Sequence, residues 1–204
     1  MKKVFLLLVV LLAAFASYWF GFRKTEQAAD APPPKPIEIK NTSSKVNMSV
    51  DSIIDGYLSI KNAFVESDTV AVKLATKNLV AVLDHFPFKE LEKDTTAVAA
   101  TVQMTIDGIK ANATSLLVQK DITEMRHDFN MIFETIYPSL FSAINYKGQK
   151  LFVQKCPMAF GADMPASWIS NSSEIVNPYL GKDHPKYHAE MLDCGDVVDS
   201  VMAK

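Results

Sequence analysis

Apolar residues recur at the 3.6-residue period of an amphipathic helix in four successive segments between Ser49 and Leu140. Each segment places its apolar residues along one face, as a helix that packs against other helices requires. The four stripes are Ile53, Tyr57, Ile60 and Phe64; Val72, Ala75, Leu79, Leu83 and Phe86; Val98, Val102, Ile106, Ile109, Ala113 and Leu116; and Ile122, Met125, Phe129, Ile132, Ile136 and Leu140. Four such helices joined by short connections predict a mainly α fold, an antiparallel four-helix bundle.

Cap residues and a proline mark where these helices begin and end. Ser67-Asp68 breaks the first segment and offers an N-cap for the second. Asp121, with Glu124 three residues later, resembles a capping box at the start of the fourth helix. Pro138, which lacks an N–H, is expected to kink the last turns of that helix.

The helical period is lost after Gly148, where prolines and glycines separate short apolar runs. Two of these runs, at residues 151–153 and 167–170, have the composition of short strands. Residues 148–204 are therefore predicted to form a loop-rich C-terminal cap, with a small β-hairpin as one option. A final short helix is expected from about Asp196 to Met202.

The N-terminus has the layout of an export signal, with Lys2 and Lys3 before an apolar run that extends to Phe22. Residues 1–24 are thus a signal anchor or a signal peptide. The length of the run and its aromatic end favour an anchor in the inner membrane through residues 1–22, whereas a small-residue site would allow cleavage to a soluble periplasmic protein.

A proline-rich segment at residues 25–47 follows the apolar run and is predicted to be a linker, because its composition cannot bury a core. The domain proper is then residues 48–204. The whole chain has 21 basic and 23 acidic side chains, which are spread along it, so no basic stripe suits a nucleic acid as partner. The chain contains no phosphate-binding loop, nucleophile elbow or zinc-protease motif, and we expect no enzymatic activity.

Soft metal ligands are concentrated between Cys156 and Gly195, a stretch that holds both cysteines of the chain. Thiolate and thioether sulfurs favour Cu(I), which accepts two to four such ligands, and imidazole can add to the set. Two of the candidates lie two residues apart in an irregular loop, so both can reach one ion. Three others recur at steps of three residues, which places them on the same side of the segment if it is helical. The candidate ligands are Cys156, Met158, Met191 and Cys194, with His188 and His184 as optional additions.

A structural disulfide between Cys156 and Cys194 is an equally weighted alternative. An exported chain folds in an oxidising compartment, where such a bond would stabilise a loop-rich cap by about 3 to 4 kcal/mol in the loop-entropy model. A third alternative is a redox-gated site in which only the reduced cysteines bind metal. Met158 and Met191 also have a structural alternative, because methionines fill cores more often than they bind metals.

Other polar residues receive structural interpretations. His85 and His127 lie on helices far from the cap in sequence and are expected to be ordinary surface or capping histidines. Arg126 is expected on a solvated helix face. Asn177-Pro178-Tyr179 is expected to form a turn whose tyrosine ring packs the cap onto the helices.

Several short motifs occur together and in order: Tyr57 to Ala63, Arg126 to Phe129, Cys156 to Ala159, Asn177 to Tyr179 and Met191 to Gly195. As a set they resemble a bacterial family of exported domains of unknown function, over roughly residues 50–202. Members of that family occur alone or fused to periplasmic adaptor subunits of copper and heavy-metal efflux pumps. The link that carries His184 and His188 is longer here than is common in the family.

Two functions are compatible with these observations. The first is a periplasmic metal-binding module that holds or hands over Cu(I) in connection with heavy-metal efflux, which the resemblance implies. The second is a metal-free helical interaction module with a docking surface closed by a Cys156–Cys194 disulfide. Its partner would be an efflux-pump adaptor or another envelope protein.

Overall fold

The computed structural model describes residues 43–91 and 96–201, without the side chains of Thr96 and Ala97. The predicted signal segment and residues 25–42 of the predicted linker lie outside these ranges. The elements are α1 (Ser44–Val65), α2 (Thr69–Asp84), α3 (Thr96–Val118), α4 (Ile122–Ile136), α5 (Ser139–Ile144), β1 (Leu151–Cys156), β2 (Ala166–Ser170) and β3 (Asp196–Val201), with 3-10 turns at Phe88–Glu90 and His188–Met191. The described chain is mainly helical and carries a small three-stranded antiparallel sheet. Within it, none of the helices combines the length and apolarity that crossing a membrane requires.

Side-chain caps fix where the first two helices begin. Ser43 Oγ accepts a hydrogen bond from Val46 N at 3.3 Å, and α1 starts at the next residue after this cap. The expectation that residues 44–47 belong to the linker is therefore wrong, because Val46 is fully buried and draws this turn into the helix. Asp68 caps α2 as predicted, since its Oδ1 accepts from the first N–H groups of that helix.

The fourth helix begins at its predicted cap but ends earlier than expected. Asp121 Oδ1 accepts from Thr123 N at 2.8 Å and from Glu124 N at 3.3 Å. The prediction of one kinked helix through Leu140 is wrong, because α4 ends at Ile136 and α5 is a separate helix. Tyr137 precedes a proline and adopts an extended backbone, φ −107° and ψ 131°, which is incompatible with a continuing helix.

The predicted stripes form the core. All of their residues are buried except Ala75 and Ile122, which are half-buried against it. Consecutive helices pack in chain order, α1 on α2, α2 on α3 and α3 on α4. Aromatic rings join α1 to α4, because the Phe129 ring lies 4.8 Å from that of Tyr57 and 5.1 Å from that of Phe64. Burying these stripes on one another is the main contribution that orders the helices.

The sheet has the order β2-β1-β3, and both pairs are antiparallel. The predicted hairpin is present, with Val153 opposite Ile169. The short helix expected from Asp196 to Met202 is wrong, because residues 196–201 pair with the other edge of β1. Strand formation satisfies the N–H and C=O groups of that edge and suits a segment rich in β-branched valine.

Candidate functional site

Sheet register brings the two cysteines together. Cys156 ends β1 and is fully buried, whereas Cys194 is half-buried just before β3. Lys155 pairs with Asp196 at the end of the two strands. Cys156 follows Lys155 and Cys194 lies two residues before Asp196, so the register puts both cysteines at the same end of the sheet. The two Sγ atoms lie 2.6 Å apart as a contacting thiol pair.

A glycine makes this approach possible. Gly195 has φ +141°, a region that side chains disfavour. A Cβ at this position would lie 2.9 Å from Lys155 O and 3.0 Å from the Trp168 ring, closer than such contacts normally come. The backbone beside Cys194 can therefore press against β1 and β2 only because residue 195 is glycine.

Electrostatics favour the neutral form of Cys194. Burial raises the pKa of its thiol, and the adjacent Cys156 and the carboxylates of Asp193 and Asp196 raise it further. Metal binding requires the thiolate, so a bound cation would have to displace a firmly held proton.

The six sequence-predicted ligands fall into three groups. The cysteines form the contacting pair. Met158 and His184 line a nearby cavity, and Met191 ends the 3-10 turn that contains the exposed His188. Cys194 N donates to Met191 O at 3.2 Å, so that thioether-bearing residue adjoins the cysteine pair through the backbone.

No group of three or more histidine, cysteine, aspartate or glutamate side chains within the described ranges is arranged to hold a metal ion. His184 instead has a local role, because its Nδ1 accepts from Lys186 N and from Tyr187 N, each at 3.2 Å. Burial lowers the pKa of His184, and the nearby Arg126 cation lowers it further. Soft ligation at the cysteines would consequently depend on the methionine sulfurs.

The segment 177–181 holds the cap in place. Asn177 Oδ1 accepts from Tyr179 N at 2.8 Å and from Leu180 N at 3.1 Å, which is the predicted turn. The same side chain donates through Nδ2 to Cys194 O at 2.9 Å, and its backbone N donates to Leu192 O at 2.8 Å. One buried asparagine thus ties this turn to the chain beside the second cysteine.

Tyr179 packs the cap onto the helices, as the sequence predicts. Its buried ring lies 5.9 Å from the ring of Phe129 on α4 and 6.0 Å from that of Trp168 on β2. Its hydroxyl donates to Ser167 O at 2.6 Å. The ring therefore connects helix, sheet and cap in one core.

Arg126 joins the C-terminal cap to the helices, a position that the sequence did not predict. It is 4% exposed, so the expectation of a solvated helix face is wrong. Its Nε donates to Pro178 O at 3.0 Å, and its Nη2 donates to Phe64 O at 3.3 Å and to Ser67 Oγ at 3.4 Å. Burial lowers its pKa to about 10, which leaves the guanidinium charged at neutral pH. The sequence does contain a sign that Arg126 is buried. It follows Met125 and precedes Phe129 by three positions, which places it on the edge of the apolar stripe.

The two remaining histidines have ordinary environments, as expected. His85 follows the last residue of α2, is exposed, and its Nδ1 lies 2.7 Å from Ala81 O. His127 is exposed on α4 and stacks on Phe160 with ring centroids 3.8 Å apart. Neither histidine belongs to the cysteine pair.

A cavity of about 230 Å³ lies beside the cap segment. It opens between the first turns of α4, the loop after β1 and the chain from Tyr179 to Tyr187. Arg126 lines it, together with Met158 and His184 from the predicted ligand set. The cavity and the cysteine pair are separate sites, since neither cysteine lines the cavity.

Residues 53–145 match a family of unknown function. The model of that family carries the description Protein of unknown function (DUF3347). The match extends from α1 to the residue after α5, so the chain is similar to this family over its helical region. Neither the curated proteins nor the solved structures gave a match. The motifs between Cys156 and Gly195 lie beyond the matched residues.

Proposed function

We propose that the domain is a non-catalytic interaction module of the periplasm whose cap is closed by a Cys156–Cys194 disulfide. The observation that carries this proposal is the 2.6 Å separation of the two Sγ atoms. The export signal expected in residues 1–24 supports it, because exported chains meet oxidants that form disulfides. The resemblance in the cap motifs favours an efflux-pump adaptor or another envelope protein as the docking partner.

The spacing of the sulfurs favours a direct bond over a bridging metal. A tetrahedral metal with metal–sulfur bonds of about 2.3 Å holds two thiolate sulfurs about 3.8 Å apart. The sulfurs here are more than an ångström closer than that. Oxidation removes two protons and two electrons from the thiols, and we assign the electrons to a protein disulfide oxidant acting by thiol–disulfide exchange.

The disulfide would stabilise the part of the domain that has the least regular structure. It encloses β2, the Asn177 turn and the 3-10 turn within a loop from residue 156 to residue 194. In the chain-entropy model a loop of this length is worth about 4 kcal/mol. We propose that the four long helices form an antiparallel bundle that serves as the rigid scaffold for this cap.

A second candidate is Cu(I) binding by the reduced form, in connection with heavy-metal efflux. The ligands would be the two cysteines with Met191 and Met158, and not a histidine. A backbone hydrogen bond joins Cys194 to Met191, and Met158 lies two residues from Cys156 in the chain. Two thiolates and one or two thioethers suit Cu(I) in donor type. The sulfurs would have to separate to admit the ion, which makes this a function of the reduced protein only.

A thiol count tests the disulfide. Full-length protein is isolated from the periplasm directly into denaturant with an alkylating agent present from the moment of lysis, so that buried thiols also react. Its mass is measured before and after reduction and a second alkylation. We expect no alkylated cysteine before reduction and two afterwards. Two alkylated cysteines in the unreduced sample would contradict the proposal.

The Cu(I) candidate is tested separately on reduced protein, in competition with a chromogenic Cu(I) chelator. Met191→Leu and Cys194→Ser should weaken binding, and affinity should rise with pH because protons are displaced. Met164→Leu, an exposed methionine of the same cap, is the matched control and should leave affinity unchanged. Equal affinities of Met191→Leu and wild type would remove Met191 from the site, and no binding by the wild type would remove the candidate.

A further inference from the structure

The cavity beside the cap has a one-sided charge. The cations of Arg126 and Lys186 line it, together with the imidazole of His184, whose pKa burial lowers, and no carboxylate of the described residues does. The carboxylate that raises the pKa of Arg126 belongs to Asp121, which caps α4 from an exposed position and does not line the cavity. An occupant of the cavity would therefore meet a positive potential in a partly enclosed space.

The guanidinium of Arg126 retains unused donors. Its Nε and Nη2 bond to Pro178 O, Phe64 O and Ser67 Oγ, which are all uncharged acceptors. Its Nη1 has no hydrogen-bond partner within the described part of the chain. A buried cation whose hydrogen bonds all go to neutral acceptors gains from an anion in contact with it, because the exposed Asp121 and the Phe64 ring, 5.9 Å away, offset only part of its desolvation.

Apart from Thr123, the remaining walls are aromatic and apolar. Phe160 is held by its stack on His127, and Tyr187 stacks on His184 with ring centroids 5.0 Å apart. Met158, in the loop after β1, lines the cavity and packs against the hydrophobic core. These surfaces suit the flat or aliphatic body of an organic molecule better than a hydrated inorganic ion.

The volume limits the size of the occupant. A cavity of about 230 Å³ lies below the range of about 300 to 1,000 Å³ typical of sites for drug-sized ligands. It corresponds to the liquid volume of roughly eight water molecules. One small ring or a short aliphatic chain with a single acidic group fits this space.

We propose that this cavity binds a small organic carboxylate, with its carboxylate on Arg126 and Lys186 and its apolar body between Phe160 and Tyr187. The site lies outside the cysteine pair and goes beyond the interaction module proposed above. Lys186 is exposed, and its Nζ lies 4.9 Å from the Tyr187 ring centroid, at the rim of the cavity. It can close over a bound anion without a change in the fold.

The test uses full-length oxidised protein and three probes: benzoate, its neutral analogue benzamide, and inorganic phosphate. Binding is followed by NMR, including the Nε–H resonance of Arg126. We expect benzoate to bind at least tenfold more tightly than either other probe and to shift that resonance. Equal binding of benzoate and benzamide, tighter binding of phosphate, or no binding of benzoate would overturn the proposal.

Variants locate the site without disturbing the core. Lys186→Gln removes a rim charge and should weaken benzoate binding about threefold to tenfold. Lys77→Gln removes an exposed charge on α2, away from the cavity, and should have no effect. Arg126 itself is a poor first target, because its substitution also breaks the bonds that hold the cap. Equal benzoate affinities for the two lysine variants would show that the carboxylate binds elsewhere and would refute the assignment.

Discussion

Gly181 stands where the cap meets the helices, and its replacement by alanine is a sharp test of that contact. Its φ of +53° lies in the left-handed region that favours glycine. A Cβ at this position would lie 2.5 Å from Arg126 Nη2, 2.7 Å from Ser67 Oγ and 2.9 Å from Phe64 O. The new methyl group would thus occupy the space of the very atoms that hold Arg126.

Two contributions set the expected magnitude. A left-handed backbone costs a non-glycine residue about 1 to 2 kcal/mol. Moving the guanidinium away from the methyl group weakens at least one charge-assisted hydrogen bond, worth about 1.5 to 3 kcal/mol. We therefore expect Gly181→Ala to lower the free energy of unfolding by about 2.5 to 5 kcal/mol.

The same substitution inside a helix provides the control. Gly108 lies within α3, and a Cβ there would meet only Thr135 Cγ2, at 3.1 Å. Alanine gains about 1 kcal/mol of helix propensity over glycine, which offsets a small shift of that methyl group. We expect Gly108→Ala to stay within about 1 kcal/mol of wild type.

Urea unfolding followed by far-UV circular dichroism measures both variants. The two should differ in transition midpoint at similar slopes, because the surface exposed on unfolding is unchanged. If Gly181→Ala unfolds within about 1 kcal/mol of wild type, the contact between residue 181 and Arg126 does not constrain the fold as described.

Three further predictions rest on other contacts. Phe129→Ala should cost about 3 to 5 kcal/mol in urea unfolding, whereas Met131→Ala, exposed on the same helix, should cost less than about 0.5 kcal/mol, and equal costs would contradict the aromatic core. Backbone N–H groups lower the pKa of Asp121, so its contribution to stability is complete above the unfolded pKa of about 3.9 and is lost as pH falls through the folded pKa. Asp121→Asn should therefore flatten the acid side of a plot of melting temperature against pH, and an unchanged plot would refute this. Burial and Cys156 raise the pKa of Cys194, so its thiol should be alkylated slowly in reduced protein. At pH 8, mass spectrometry should show a rate at least about tenfold lower than that of a free cysteine peptide. An equal rate would contradict the raised pKa.

The helical region was predictable because its information is local. Apolar residues at the 3.6-residue period, a cap such as Asp68 and a capping residue such as Asp121 act within one or two turns of the chain. The start of α1 was missed because the polar residues around Val46 resemble a linker, and only the packing of that side chain shows otherwise. The end of α4 was missed for a related reason, since a proline can either kink a helix or separate two.

The parts that the sequence did not reveal depend on distant partners. Residues 196–201 became a strand because an edge of β1 needed pairing, and that edge lies more than forty residues earlier in the chain. Arg126 is buried because its acceptors come from Phe64, Ser67 and Pro178, on two other parts of the chain. The cysteines could be grouped from their residue type, but their contact is set by strand register.

The junction at Arg126 has a consequence for how the domain can be divided. The similarity to a known family stops at residue 145, which suggests the helices as a unit for separate expression. A fragment cut at that boundary would lose Pro178 O, the acceptor of Arg126 Nε, and would lose Tyr179 and Trp168 from the core around Phe129. It would expose an apolar surface beside a half-satisfied cation, a combination that favours aggregation. The smallest fragment that folds and stays soluble by itself should therefore extend from the first helix through the last strand.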